Sequence, residues 1–285
     1  MKVDGMKQEK AHCRNSIGGF LLLSLFLFLH SFASAQTDSL QQKKIITNAK
    51  LVGVGATNIL DTYLSPEKYN GTEVRYMSHT TRERPGKRLS RELIHQADIA
   101  FANNRSGDGE EIAGMYRFNY AWLYNWKFFD SRLEIKAGGT TDFNLGFIYN
   151  TRNSNNPAQL RAFFNLTPTA VATWHFNLFH KPMALRYEVG VPLVGVMFSP
   201  NYGQSYYEIF SEGNYDHNVV LTSIGNAPSM RDMLSLDFRL GSVTMRVGYL
   251  GDFHQAHVNG LKSHIYSNTV MIGFVKHFQI LNIKP

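Results

Sequence analysis

The chain has 285 residues, with 29 Lys/Arg against 22 Asp/Glu and a formal net charge of +7, and contains no long run of like charges, which excludes a polybasic nucleic-acid arm. Mean hydropathy is −0.24, and beyond the N-terminal region no apolar run approaches the ~18 residues of a membrane helix, which excludes a helical membrane protein. The single cysteine, Cys13, precedes the first apolar run, so the rest of the chain carries no disulfide, thiolate metal site or cysteine nucleophile.

In chain order, Lys7, Lys10 and Arg14 lead into "FLLLSLFLFLHSF" and then "ASAQ", the charge, apolar and small-x-small sequence of a cleaved secretory signal over residues 1–35. Removing its four Lys/Arg and two Asp/Glu leaves 25 basic against 20 acidic residues, a net charge of +5. Residues 36–48 read as a short periplasmic segment and residues 49–285 as one β domain. "GVGATN" at Gly53–Asn58 has two glycines in dinucleotide-loop spacing but lacks the third and a following helix pattern, so it reads as a strand that needs close approach. "NNRSGDGEE" (Asn103–Glu111) collects acidic groups without the alternate spacing of a calcium loop and reads as an ordinary loop.

Three hairpins follow. In "WLYNWKFFDSRLEIKAGG" a turn at Asp130-Ser131 opposes Phe128 to Leu133, Trp126 to Ile135 and Tyr124 to Ala137 on one face, and Lys127 to Glu134 and Asn125 to Lys136 on the other. In "TWHFNLFHKPMALRYEVGV" a loop at His180–Met183 opposes Leu178 to Leu185, Phe176 to Tyr187 and Trp174 to Val189, with Asn177 against Arg186 and His175 against Glu188 on the reverse. In "DMLSLDFRLGSVTMRVGYLGDF" a Gly241-Ser242 turn opposes Leu240 to Val243, Phe238 to Met245, Leu236 to Val247 and Leu234 to Tyr249, while Arg239 meets Thr244, Asp237 meets Arg246 and Ser235 meets Gly248. Each hairpin confines its ionic or polar pairs to one face.

Short turns near Arg84–Lys87, Asp130-Ser131, His180–Met183 and Gly241-Ser242 alternate with longer links at Asp61–Gly71, Asn103–Glu111, Asn150–Ala158, Ser199–Ala227 and His254–Lys262. That alternation predicts an all-β, antiparallel, up-and-down transmembrane β-barrel of about 10 strands with both termini in the periplasm. The Ser199–Ala227 link contains "SYYEIF" and "NVVLTSI", and a hairpin there gives the alternative of about 12 strands. Trp122, Trp126, Trp174, Tyr187 and Tyr249 are expected to face lipid. Lys127, Glu134, His175, Arg186, Glu188, Asp237, Arg239 and Arg246 are expected to form a lumen charge network that leaves the interior narrow or filled.

The segments "LVGVGATNILDTYLSPEKYNGTEVRY" and "SNTVMIGFVKHFQIL" resemble an uncharacterised Gram-negative outer-membrane barrel family catalogued as domain of unknown function 3316. The resemblance covers most of the mature chain and implies an outer-membrane barrel with no established activity. One departure is that Phe278 is followed by seven further residues, whereas many barrels end on an aromatic.

Chemistry-bearing motifs are sparse. His254 and His257 lack a third ligand, so neither a metal nor a cofactor is expected. His264 lies three residues before Ser267, opposite in strand parity to what a serine-histidine lipid hydrolase requires unless a bulge restores it. The leading reading is a non-enzymatic barrel of structural, surface-interaction or narrow-passage type, with outer-membrane lipid and a small solute or surface partner as its contacts and no nucleic acid. The alternatives are a lipid-modifying barrel enzyme of phospholipase or lipid A deacylase type and a soluble periplasmic β-sandwich binding protein.

Overall fold

Apolar residues outward and polar or small residues inward at a period of two is the pattern of the fourth strand, where Arg117, Asn119, Ala121 and Leu123 are buried inside and Tyr116, Tyr124 and Trp126 project outward. The same pattern repeats around a closed wall. A computed structural model describes residues 44–280; the expected signal segment 1–35 lies outside the described residues. The elements are β1 (Lys44–Asp61), β2 (Ser65–Glu83), β3 (Leu89–Asn103), β4 (Glu110–Phe128), β5 (Leu133–Asn150), β6 (Ala158–Leu178), β7 (Lys181–Gly190), β8 (Val194–Phe198), α1 (Tyr206–Phe210), β9 (Val219–Ser223), β10 (Met230–Leu240), β11 (Val243–Val258) and β12 (Leu261–Ile280). The first strand therefore begins at Lys44, inside the stretch read as a periplasmic segment.

All pairings are antiparallel. Ten strands close the ring in the order β1-β2-β3-β4-β5-β6-β7-β10-β11-β12, with β12 returning to β1 from Lys44↔Ile280 to Asp61↔Ser263. β8 and β9 are a two-stranded addition on the upper part of β6, so the wall is a ten-stranded barrel carrying two extra strands. Closure pairs backbone groups that an open edge would leave bare, which is what a wall in contact with lipid requires.

The β4–β5 and β10–β11 registers are those read from sequence, residue for residue, including Lys127↔Glu134 and Asp237↔Arg246. The β6–β7 register differs. The turn is Phe179-His180, with φ of 51° and 61°, so Trp174 opposes Leu185, Phe176 opposes Met183 and Leu178 opposes Lys181. The shift preserves the faces but changes every partner: His175 opposes Ala184 rather than Glu188, and Arg186 opposes Thr173.

The connections also differ. β1 and β2 are joined by residues 62–64 alone, and β11 and β12 by the Asn259-Gly260 turn, so the expected long links at Asp61–Gly71 and His254–Lys262 are strand. Within the expected Ser199–Ala227 hairpin, "YYEIF" is helical, and "VVLTS" pairs instead with Val194–Phe198. A capping box explains the helix: the Ser205 hydroxyl accepts from the Glu208 N–H, and the Glu208 carboxylate accepts from the Ser205 N–H at 2.6 Å.

Inside the wall, an apolar cluster of Leu51, Met77, Ile94, Met233, Leu250 and Met271 forms one layer, and a second gathers Ile59, Tyr69, Ala102 and Ile148.

Candidate functional site

Many charged side chains at alternate strand positions turn inward, and several meet partners from the opposite wall. Arg75 on β2 is 1% exposed and donates through Nε and Nη2 to both carboxylate oxygens of Glu73 at 3.0 Å. Its Nη1 reaches across the lumen to Asp252 on β11 at 2.6 Å, and Arg117 on β4 donates to the same Asp252 oxygen. Ser267 donates to Glu73 at 2.7 Å and Thr269 donates to its other oxygen. Planar guanidinium groups suit such shared carboxylates because several N–H groups lie in one fixed fork.

A second group lies around Glu92 on β3. Arg186 from β7 donates to Glu92 at 2.7 Å and to Glu188 at 2.9 Å, His79 lies 2.8 Å from Glu92, and Lys136 of β5 is 3.7 Å away and also pairs with Glu83. His79, Glu92 and Glu188 place ligand-type atoms within 4.8 Å of one another. Arg186 and Lys136 already supply positive charge there, so the group is compensated as an ion-pair cluster and offers a further cation little. A third group is Arg246, which binds Asp237 through Nε at 2.5 Å and Nη2 at 2.7 Å.

Of the residues expected to form the network, Arg186, Glu188, Asp237 and Arg246 lie inside and are paired. Lys127 and Glu134 pair at 3.1 Å near the Phe129–Arg132 turn, with the Lys127 side chain 53% exposed. Arg239 is exposed and donates to the Gly241 carbonyl at the adjacent turn, and His175 is exposed near the end of β6; these two are corrected from network members to turn-end residues. Trp126, Trp174, Tyr187 and Tyr249 project outward, as does the partly buried Trp122, which packs edge-on against Tyr120 at 4.4 Å. Sequence reading missed Glu73, Arg75, His79, Glu92, Arg117 and Asp252, the most buried members.

The motifs weighed for chemistry separate in space. His254 points inward, 3.0 Å from Asp252, while His257 points outward on the same strand, so they do not share a ligand. His264 sits on the outer face against Asn58 at 2.7 Å and stacks on Tyr266, whereas Ser267 points inward to Glu73. No bulge restores a serine-histidine pair, because the β11–β12 and β1–β12 registers run unbroken through both residues. Gly53 and Gly55 are where β1 presses on β12: a Cβ would lie 2.6 Å from the Val270 carbonyl oxygen at the first and 2.4 Å from that of Asn268 at the second. In the 103–111 loop, Asp108 is held below its usual carboxylate range by hydrogen bonds from Ser106 and Asn104, and Glu111 is drawn away to Asn150. The helix-bearing loop is tied down by Tyr206, whose hydroxyl donates to Gln159 at 2.8 Å and accepts from the Leu160 N–H at 2.7 Å. Burial pushes that hydroxyl up, so it stays a neutral donor.

A family model described as protein of unknown function (DUF3316) matches residues 20–285. The chain belongs to this family. No curated protein sequence matches it. The DUF3316 barrel is similar to the transport unit of the autotransporter AIDA-I from Escherichia coli, with 7% identity, 88% of this chain and 93% of that chain covered, and a TM-score of 0.41. It is also similar to the translocator domain of the autotransporter NalP from Neisseria meningitidis (8% identity, 93% and 97% covered, TM-score 0.34). A third likeness is to an outer-membrane channel from Pseudomonas putida F1 (9% identity, 86% and 98% covered, TM-score 0.34).

Proposed function

We propose that this chain is a non-enzymatic outer-membrane β-barrel whose axial lumen is closed by its own side chains, a membrane-embedded scaffold without a wide aqueous channel. The carrying observation is that ion pairs cross the interior as well as running along the wall: β2 and β4 both bind Asp252 of β11, and β7 binds Glu92 of β3. A water-filled pore would solvate such charges separately, whereas here Arg75, Glu73, Glu92 and Asp252 are all at most 3% exposed. The outer-membrane setting is supported by an even-numbered antiparallel wall, outward apolar side chains and inward polar ones.

The test is current through planar bilayers containing the refolded chain, with insertion confirmed by a mobility that changes on boiling. Silence from inserted protein is expected. Reproducible discrete steps of large conductance would overturn the closed-lumen reading.

A further inference from the structure

The wall is broken at one height on two adjacent strands. β7 stops at Gly190 and β8 resumes at Val194, while β9 stops at Ser223 and β10 resumes at Met230. The last rung below the break is Gly190↔Arg231 and the first above it is Val194↔Ser223, so residues 191–193 face residues 224–230. Three residues cannot keep register with seven, and Pro192 has no N–H to donate. Inward parity changes across the break: Glu188 points inward below it and Met197 above it. Among the described residues the last five residues of β11, His254–Val258, have no strand partner on that side. Two contacts span the seam, from the Gln255 N–H to Ser229 Oγ at 3.3 Å and from the His257 N–H to the Asn226 carbonyl at 2.7 Å.

A pocket open to solvent lies in this break, with about 420 Å³ of atom-free space when the adjoining solvent is included. Most of its lining is apolar, with Phe163, Leu193, Val194 and Met197 prominent, and Arg161 and His254 are its only titratable side chains. Asn165, Pro192, Ser229 and His254 also line a small space inside the barrel, so the two spaces adjoin. Leu193, Val194, Val196 and Leu221 are exposed around the seam on the outer face.

Arg161 is the decisive residue. It is 8% exposed, yet among the described residues it makes no side-chain hydrogen bond and has no carboxylate within 4.0 Å, and its Nε is without a partner. The other inward arginines Arg75, Arg117, Arg186, Arg231 and Arg246 each have a carboxylate. An unpaired guanidinium at such depth is costly, and an incoming anion would offset that cost with charge-assisted, bidentate hydrogen bonds.

We infer that this wall pocket binds a single-chain anionic amphiphile, its carboxylate on Arg161 and its alkyl tail against Phe163, Leu193, Val194 and Met197, admitted from the lipid side through the break between β9 and β11. The inference rests on the proposed reading only in taking the outer face to meet lipid. The site needs no open axial lumen.

The test is calorimetric titration of the full chain in lipid nanodiscs with dodecanoate, dodecanol and butyrate. Saturable binding of one dodecanoate per chain is expected, with dodecanol and butyrate at least about tenfold weaker because each lacks one half of the recognition. Arg161→Gln is expected to weaken dodecanoate at least about tenfold, with Arg161→Lys intermediate. Because Arg161→Gln alters a buried position, Ala256→Trp, which fills the pocket and keeps the guanidinium, is the second variant and is expected to abolish binding. Boiling-dependent mobility reports the folding of each variant. Absent dodecanoate binding, equal binding by folded Arg161→Gln, or equal binding of dodecanol overturns the inference. Displacement of dodecanoate by phosphatidylglycerol at equal concentration would reassign the site to a two-chain lipid head group and overturn the single-chain assignment. Conductance steps alone would overturn the closed-lumen reading and leave this pocket standing.

Discussion

Asp252→Asn isolates the energetics of the interior network. Asp252 is 1% exposed, accepts from Arg75 at 2.6 Å and from Arg117, and has the His254 ring 3.0 Å away. Removing its charge leaves the two guanidinium contacts unequal. Arg75 keeps Glu73 on two hydrogen bonds of 3.0 Å and Asp98 at 3.6 Å, so it remains compensated. Arg117 has no other carboxylate within pairing distance among the described residues. The loss is therefore that of one broken buried pair, ~3–5 kcal/mol, and the retained amide oxygen places it near ~3 kcal/mol. At about 1.4 kcal/mol per decade that is roughly a hundredfold change in the unfolding equilibrium. Reversible urea unfolding of vesicle-inserted protein, followed by tryptophan fluorescence, measures it. Asp252→Asn combined with Arg117→Gln removes the orphaned charge and is expected to recover ~2 kcal/mol, a coupling that additive damage cannot produce. A loss below ~1 kcal/mol for the single variant, or additivity in the double, refutes the claim that Asp252 is the required counter-charge of Arg117.

Gly273→Val places a Cβ 1.9 Å from the Lys50 carbonyl oxygen on the closing seam, so the variant is expected to lose boiling-dependent mobility; normal mobility would show that the β1–β12 ladder can widen there. Phe179 and His180 both hold positive φ in a two-residue turn, and replacing them with Asn-Gly is expected to raise stability by ~1 kcal/mol, read as a higher urea midpoint with unchanged slope. The Glu208 carboxylate is held below its usual range, chiefly by the Ser205 N–H and then by its hydroxyl. A depressed folded-state pKa means that this contribution is present above the unfolded value of about 4.3 and disappears as pH falls through the folded one. Hydrogen exchange in α1 is therefore expected to accelerate beyond its intrinsic pH dependence only below about pH 4, and Glu208→Gln is expected to abolish that extra acceleration.

Two of the hairpins were legible to the residue because Asp130-Ser131 and Gly241-Ser242 mark their turns and opposed charges fix the register between the flanking strands. The third was displaced because Pro182 invited a longer loop. The chain instead places Pro182 at the strand end opposite Asn177, where a missing N–H costs little. Turn-rich composition also made Ser65–Gly71 and His254–Val258 look like loops, although both are strand. Inward parity could be read locally, but the partners of Arg75 could not. Asp252 stands 177 residues away, and only closure of the ring brings it across the lumen. The turn signals that exposed Asp237 and Arg246 give no hint of a contact made through the interior. Arg161 was invisible for the converse reason: what distinguishes it is the absence of a partner, and sequence shows only its presence.

The pairing of Lys44 with Ile280 sets an order of events on assembly. The first strand offers a bare edge until β12 is available, so closure is withheld until the span from Lys44 to Ile280 is present, and the slowest loop in entropic terms is the one that completes the wall. Until then both terminal strands present unpaired N–H and C=O groups to any neighbouring chain. The interval before β12 docks is thus the stage at which this barrel depends most on being kept apart from its own copies.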